Sequence, residues 1–396
     1  MRDDSPSTTR AAAGQLAEQL TAWRRHFHAH PELSGQEEQT AAFIAEELRK
    51  LGCEPRERIG GTCGLSADLV VPGRPFVALR ADMDGLPITE LTGAAYTSQN
   101  AGVMHACGHD AHMAMLLGVA RMLAERKADL RQSVRLIFQP AEEGGGGAEL
   151  LVAGGVLADV QRIFGLHVWS EMPLGTLGTR VGPFMSSTNP LRITVRGRGG
   201  HAAMPHQCVD PVVVAAQLVV ALQTVVSRNI AMTDSAVVSV TRVQAGSATN
   251  IIPETAELAG TVRTLNMATR ATIVRRIGEL AQGIAGAYGA TAEATVEEGY
   301  PVLVNDAGAV ERALATARRL GFTEDQLLTL PAQGGGEDFA YYLQQVPGAF
   351  LFLGARNEAK GCKYPHHHAL FDIDEAVLPL GVALLTQLAL DAETER

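Results

Sequence analysis

Two short apolar runs, each ending in a cluster of acidic residues and separated by a helical stretch, constrain this chain more than any other feature. Phe76–Arg80 leads into Ala81-Asp82-Met83-Asp84-Gly85, and Val134–Phe138 leads into Gln139-Pro140-Ala141-Glu142-Glu143. Apolar runs of this length bounded by turn residues suit buried strands. Strands that alternate with helical segments are the pattern of an α/β protein. Between the two runs, His112–Glu125 has the composition of a helix, and Ile163–Val168 reads as a third strand with His167 near its end. Upstream, Gln15–Phe27 and Glu37–Leu51 carry helical periodicity, the second stopping at Gly52, a residue type favoured just past a helix end. Open α/β sheets place their chemistry where strand ends feed loops. Asp82, Asp84, Glu142 and Glu143 therefore fall where a site is expected, and the fold class is α/β.

The pattern changes from about Met185. Leu191–Arg196 reads as a strand, Pro211–Ser227 as a long apolar helix, Ala236–Val243 and Ala256–Val262 as strands, Thr269–Tyr288 as an amphipathic helix and Thr291–Glu297 as a strand. This βαββαβ order describes a ferredoxin-like sandwich able to fold as a unit. The expected organisation is a first domain in two parts, residues 1–185 and 299–396, with residues 186–298 inserted into it. The second part contains the loop Gly334-Gly335-Gly336-Glu337-Asp338-Phe339 and the cluster Pro365-His366-His367-His368. With 396 residues, 46% of them hydrophobic, the chain can bury a core in each domain.

Charge and composition exclude several classes. The net charge of −10, without clustered Lys and Arg, argues against a nucleic-acid partner. Met1–Ala13 is polar and lacks the apolar core of a signal peptide, and no run of about twenty apolar residues is expected to span a membrane. Five cysteines at irregular spacing read as reduced thiols in a cytoplasmic protein.

The chemistry concentrates in Cys107-Gly108-His109-Asp110, in Glu142-Glu143 and in His167, with the histidine cluster at 366–368. Thiolate, imidazole and carboxylate together suit a divalent transition metal, and adjacent glutamates let one bind metal while the other moves protons. A Cys-x-His pair alone is a weak signal; the combination is strong. Other prominent residues have plainer readings. His26, His28 and His30 suit packing, Asp110 and His112 suit support and helix capping, and Cys53, Cys63, Cys208 and Cys362 read as bystander thiols. Gly144–Gly147 reads as a flexible turn, because no Gly-Lys-Ser/Thr follows to make a phosphate loop. Glu337 and Asp338 suit either pocket hydrogen bonds or turn capping.

Arg24-Arg25 with His30-Pro31-Glu32-Leu33-Ser34, Arg80-Ala81-Asp82-Met83-Asp84-Gly85-Leu86-Pro87, Met104–His112, Gln139–Glu143, Gly165-Leu166-His167, Gly199-Gly200-His201-Ala202-Ala203 and Gly336–Phe339 form an ordered set of blocks spanning nearly the whole chain. In these blocks the chain resembles metal-dependent amidohydrolases of the aminoacylase and carboxypeptidase superfamily. It is most similar to the branch with hippurate hydrolase, indole-acetyl-amino-acid hydrolases and N-acetyl-diaminopimelate deacetylase. The resemblance implies a dinuclear α/β catalytic domain, a ferredoxin-like lid that forms a homodimer, and hydrolysis of the amide bond of N-acyl amino acids.

Carried over residue by residue, it makes Cys107, His109, Glu143, His167 and one late histidine ligands to two divalent ions, with Cys107 bridging them. Zinc or manganese is expected, with cobalt and nickel compatible. Counting four residues back from Phe371 selects His367 over His366 and His368, although Ala369 stands where relatives carry proline. Asp82 and Asp84 would orient the ligands rather than bind metal. Glu142 would be the general base. His201 would donate to the oxyanion in the site of the other subunit, and Asn250 and Arg263 would hold the substrate's carbonyl or carboxylate. A dipeptidase or carboxypeptidase is the alternative within the same chemistry. A silent metal-binding protein would have no use for Glu142.

Overall fold

The structure is a computed structural model and describes residues 6–391. The chain divides into two compact units. The first comprises the chain up to Gly182, Val304–Pro331 and everything from Asp338 onward; the second comprises Pro183–Leu303 and Ala332–Glu337.

The first unit is organised on an eight-stranded sheet. At its centre Ser133–Gln139, Phe76–Asp82, Val160–Pro173 and Gly348–Arg356 lie side by side and parallel, with Asp82 level with Gln139 and His167 level with Phe352. Leu65–Leu69 and Pro55–Arg56 extend one edge with antiparallel pairing. The central strands are buried on both faces, as their near-continuous apolar sequences require. The helix His109–Glu125 lies almost wholly inside, between the sheet and the helices Ala17–Ala29 and Leu378–Leu390. Met113, Leu116, Leu117, Leu79, Leu166, Leu384 and Leu388 share this core.

Two elements differ from the sequence expectation. The helix begins at His109, not His112, because Gly108 takes a left-handed conformation (φ 92°) and turns the chain straight into it. Asp110 in the first turn adds favourable charge at the helix N-terminus. The expected helix from Gln15 to Phe27 is two helices, Pro6–Gln15 and Ala17–Ala29, which meet at Leu16.

In the second unit a four-stranded antiparallel sheet runs Ala236–Ala245, Thr255–Thr264, Ser187–Arg196, Thr291–Val296. Leu191, Ile193 and Val195 alternate inward and meet Val214, Leu218, Leu222, Ile273 and Ile277 from the helices Pro211–Asn229 and Met267–Ala287. Asp210 and Asn266 cap these helices through their side chains.

The expectation that no membrane-length apolar run exists needs correction. Pro211–Asn229, 19 residues of mean hydropathy 1.5, is long and apolar enough by length and composition. In the fold it is a packing helix: Val214, Ala215, Leu218, Leu222 and Val225 form one buried stripe at helical spacing, and Gln223, Thr224 and Ser227 bond back to the helix's own carbonyls.

Candidate metal centre

The centre forms at the carboxyl ends of the parallel strands of the first unit. Gly108 is required there twice over. Its φ of 92° is one that side chains resist, and a Cβ added to it would lie 2.3 Å from Val168 Cγ2. The turn presents Cys107 and His109 together. His109 directs Nδ1 at Asp84 Oδ1 (3.2 Å), while its buried Nε2 has no hydrogen-bond partner and lies 3.7 Å from Asp82 and 4.0 Å from Glu143. His167 donates from Nδ1 to the Val168 carbonyl (2.7 Å), which leaves the Nε2 lone pair 3.4 Å from Cys107 Sγ. His367 adopts φ 64°, donates its backbone N–H to Ala106 O (2.8 Å) and brings Nε2 to 3.1 Å from Glu143 Oε1.

Two triads result, Cys107–His109–His167 and Cys107–Glu143–His367, each with its donor atoms within 4.8 Å of one another. They share the sulfur, and a thiolate can bridge. His109, Glu142 and Glu143 form a third group on the same scale. The buried, unpartnered His109 Nε2 aimed into this cluster is the feature a cation would satisfy. The donor set fits two divalent ions.

The surrounding carboxylates are already engaged. Asp82 accepts from His112 Nδ1 (2.5 Å) through one oxygen and from Arg80 (2.6 Å) through the other, and His112 Nε2 accepts the Val168 N–H (2.8 Å). Although His112 groups with Asp82 and His109 by distance, both its nitrogens are occupied. Asp84 holds His109 through Oδ1; its Oδ2 accepts from Ser34 Oγ (2.6 Å) and from the Glu143 N–H (2.9 Å). Arg80 and Gln139 both reach Asp338 (3.0 and 2.8 Å), and Tyr342 donates to Gln139 (3.1 Å).

Electrostatics set the protonation of the metal-free centre. Burial raises the Cys107 thiol well above its ordinary range, and Glu143, Glu142 and Asp82 raise it further. Burial opposes charge on His109, but Asp82 and Asp84 outweigh it and bring its pKa to about 10. His167 goes the other way, held neutral by burial and by His112 and His366. Protons therefore occupy the positions a cation would neutralise.

The chain matches peptidase family M20/M25/M40 over residues 78–391. It belongs to that family. Among curated relatives it is 40% identical to an N-acetylcysteine deacetylase of Bacillus subtilis, over 93% of this chain and 96% of that protein. It is also 40% identical to thermostable carboxypeptidase 2 of Saccharolobus solfataricus, over 93% of each. A crystal structure of a Bacillus subtilis dinuclear metal-binding peptidase from family M20 superposes with a TM-score of 0.84 at 36% identity, covering 95% of this chain and 98% of that one. The protein is thus an M20 hydrolase with the α/β catalytic fold.

Within this M20 chain the late histidines separate by geometry. His366 lies 3.0 Å from the Val168 carbonyl through Nε2 and 3.3 Å from Ser170 through Nδ1, and burial lowers its pKa to about 3. His368 stacks on Tyr364 and accepts the Leu370 N–H. Only His367 of the three joins the cluster of donors. His201, Asn250 and Arg263 lie in the second unit. His201 pairs with Ile251, the Ala202 N–H donates to Asn250 O (3.0 Å), and Arg263 sits part-buried against Thr261 and Val262. Gly144–Gly147 is a tight turn that starts the helix Gly147–Ala153.

Sequence reasoning gave no role to Arg24, Arg80 or Glu37. Arg24 is fully buried and ties Asp110 (2.8 Å) to Asp372 (2.7 Å), anchoring the start of the ligand-bearing helix. His28 joins it at Asp110 (2.7 Å) and Glu90 (3.2 Å). The available signal was Arg80 inside the apolar run Phe76–Ala81; Arg24 and Glu37 lie in polar stretches that carry none. All five cysteines are free thiols.

Proposed function

We propose that this M20 enzyme hydrolyses the amide bond of N-acyl amino acids, releasing a carboxylic acid and the free amino acid. Glu142 carries the reading: a buried carboxylate adjacent in sequence to Glu143 and within 4.8 Å of His109 is a proton carrier placed beside a metal centre. Cys107, His109, Glu143, His167 and His367 are the ligands in this reading. Zinc or manganese suits the mixed donors. When bound, the two cations supply Lewis-acid polarisation of the scissile carbonyl and acidify water.

Glu142 takes the proton from the attacking water and hands it to the leaving nitrogen, so the amine departs neutral. Asp84 holds both His109 and the Glu143 backbone in place, while Asp82 is held by His112 and Arg80 beside them. His201 accepts the Ala203 N–H at Nδ1 (3.1 Å), which puts its own proton on Nε2. From there it donates to the developing oxyanion in the site of the other subunit of a homodimer. Arg263 and Asn250 hold the substrate's carboxylate and carbonyl. The second unit's outer strand Ala236–Ala245, with Val237 and Val243 exposed, and the exposed Val220 of its long helix supply apolar surface for that dimer. A cytoplasmic setting suits the free thiols.

Cleavage of a dipeptide or C-terminal residue is the second reading, supported by the carboxypeptidase relative, since a peptide bond is also an amide. The test is a panel of N-acetyl, N-benzoyl and N-indoleacetyl amino acids alongside dipeptides, assayed with the metal-loaded enzyme and its Glu142→Ala variant. The expected result is turnover of N-acyl amino acids that falls by about two to four orders of magnitude in the variant while metal content holds. Cleavage of dipeptides alone would favour the second reading. Near-normal turnover by metal-replete Glu142→Ala would remove Glu142 from the mechanism.

A further inference from the structure

Glu37 is a carboxylate with no solvent exposure. Its Oε1 accepts two backbone N–H groups, from Gly35 (3.0 Å) and from Ala141 (2.8 Å), while Oε2 has no partner. It stands at the N-cap position of the helix Glu38–Lys50 yet makes no side-chain capping bond there. That helix is capped instead by Glu32, which accepts the N–H groups of Gln39 (3.2 Å) and Thr40 (2.9 Å). Helix capping therefore does not account for Glu37, and the group it holds across the fold is Ala141.

Ala141 immediately precedes Glu142 and adopts φ 55°, a left-handed conformation that a side-chain-bearing residue keeps only when its surroundings impose it. On the other side of Glu142, the Glu143 N–H is held by Asp84 Oδ2 (2.9 Å). Glu142 is thus the one residue between two amides, each gripped by a different buried carboxylate. The two grips share a support: Ser34 bonds Asp84 (2.6 Å), and Gly85 N–H donates to Glu32 O (2.7 Å), so the segment from Glu32 to Glu37 braces both acidic loops together.

We propose that Glu37 is a positioning residue for Glu142, fixing the left-handed turn at Ala141 that aims the base. The proposal rests on the reading of Glu142 as general base. Burial, reinforced by Asp84, lifts the Glu37 carboxyl to about 7, and the Cys63 thiol that also faces it is pushed up to about 11, so that neighbour is neutral at neutral pH. The bonds from the Gly35 and Ala141 N–H groups need only an acceptor oxygen at this position, charged or neutral. Glutamine, which keeps an acceptor oxygen of the same reach, is the conservative replacement.

The experiment measures kcat, KM and bound metal for Glu37→Ala, Glu37→Gln and Glu37→Asp, and for Glu37→Ala combined with Glu142→Ala. Misplacing a catalytic group by about 1 Å costs on the order of a hundredfold in rate. Glu37→Ala is therefore expected to lose about ten- to a hundredfold in kcat while KM and metal content stay within about twofold. Glu37→Gln should recover to within about threefold of wild type. Glu37→Asp, one methylene short of Ala141, should remain impaired at unchanged metal content. In the double variant Glu37→Ala should add less than about twofold to the loss from Glu142→Ala, because it acts through that residue.

Wild-type kcat in Glu37→Ala or Glu37→Asp overturns the proposal. So does a loss tracked by metal content or KM, or one that multiplies with that of Glu142→Ala. If Glu37→Ala does not fold, the contrast between the glutamine and aspartate variants decides. Near-normal turnover of Glu142→Ala alone marks failure of the base reading, separately from any result at Glu37.

Discussion

Replacing Gly108 by alanine introduces two separable strains at the point where the candidate ligands Cys107 and His109 meet. The first is local: at φ 92° a Cβ crowds its own backbone, and left-handed geometry costs about 1–2 kcal/mol for a side-chain-bearing residue. The second is a contact: the new Cβ falls 2.3 Å from Val168 Cγ2, far inside van der Waals distance, and relieving such overpacking in a closed core costs about 1–3 kcal/mol. Gly108→Ala should therefore destabilise by about 2–5 kcal/mol in total. A cycle with Val168→Ala separates the terms, because removing the valine methyls relieves the contact and leaves the backbone strain. Urea unfolding of the chelated protein, followed by circular dichroism across the four members of the cycle, should give a coupling of about 1–3 kcal/mol over an uncoupled remainder. Destabilisation below about 0.5 kcal/mol, or no coupling to Val168, would refute the argument. The shift should also weaken metal binding, since Cys107 and His109 flank the altered residue.

Metal loading should release protons. Cys107, with its raised thiol, and His109, at about 10, both hold a proton at pH 7.5 in the metal-free enzyme, and ligation requires both to leave. Raising the pH towards those pKa values removes the competing protons, so affinity should climb by up to about a hundredfold per unit between pH 7 and 8. Titration calorimetry in buffers of different ionisation enthalpy should count about two protons, fewer by about one in Cys107→Ser; release of none would exclude these two groups as ligands. Mixing inactive His201→Ala and Glu142→Ala proteins under subunit exchange should restore about half the activity per mixed dimer, since one site then keeps both groups. No recovery despite proven exchange would place His201 in its own chain's site or in the fold alone.

Much of the candidate centre was legible because its chemistry is local. Cys107-Gly108-His109 and Glu142-Glu143 are adjacent letters at the ends of apolar runs, and the strand and helix order of the second unit follows from periodicities of two and 3.6 residues. Choosing His367 among three neighbouring histidines was different. The resemblance nominated it, but what brings it alone of the three to the donor cluster is its left-handed φ and its bond to Ala106, set by how the loop lies against the ligand turn. The apolar composition of Pro211–Asn229 says nothing of which face is buried; only its place on the sheet divides the helix into an inner stripe and an outer face. The buried charges lay furthest out of reach. Arg80 meets Asp338 across 258 residues, Arg24 meets Asp372 across 348, and Glu37 meets Ala141 across 104. A lone charged residue in sequence looks solvated, because nothing nearby can compensate its burial. The fold brings the partner from a distant segment, and that pairing, which only the tertiary structure decides, is what allows these residues to be buried.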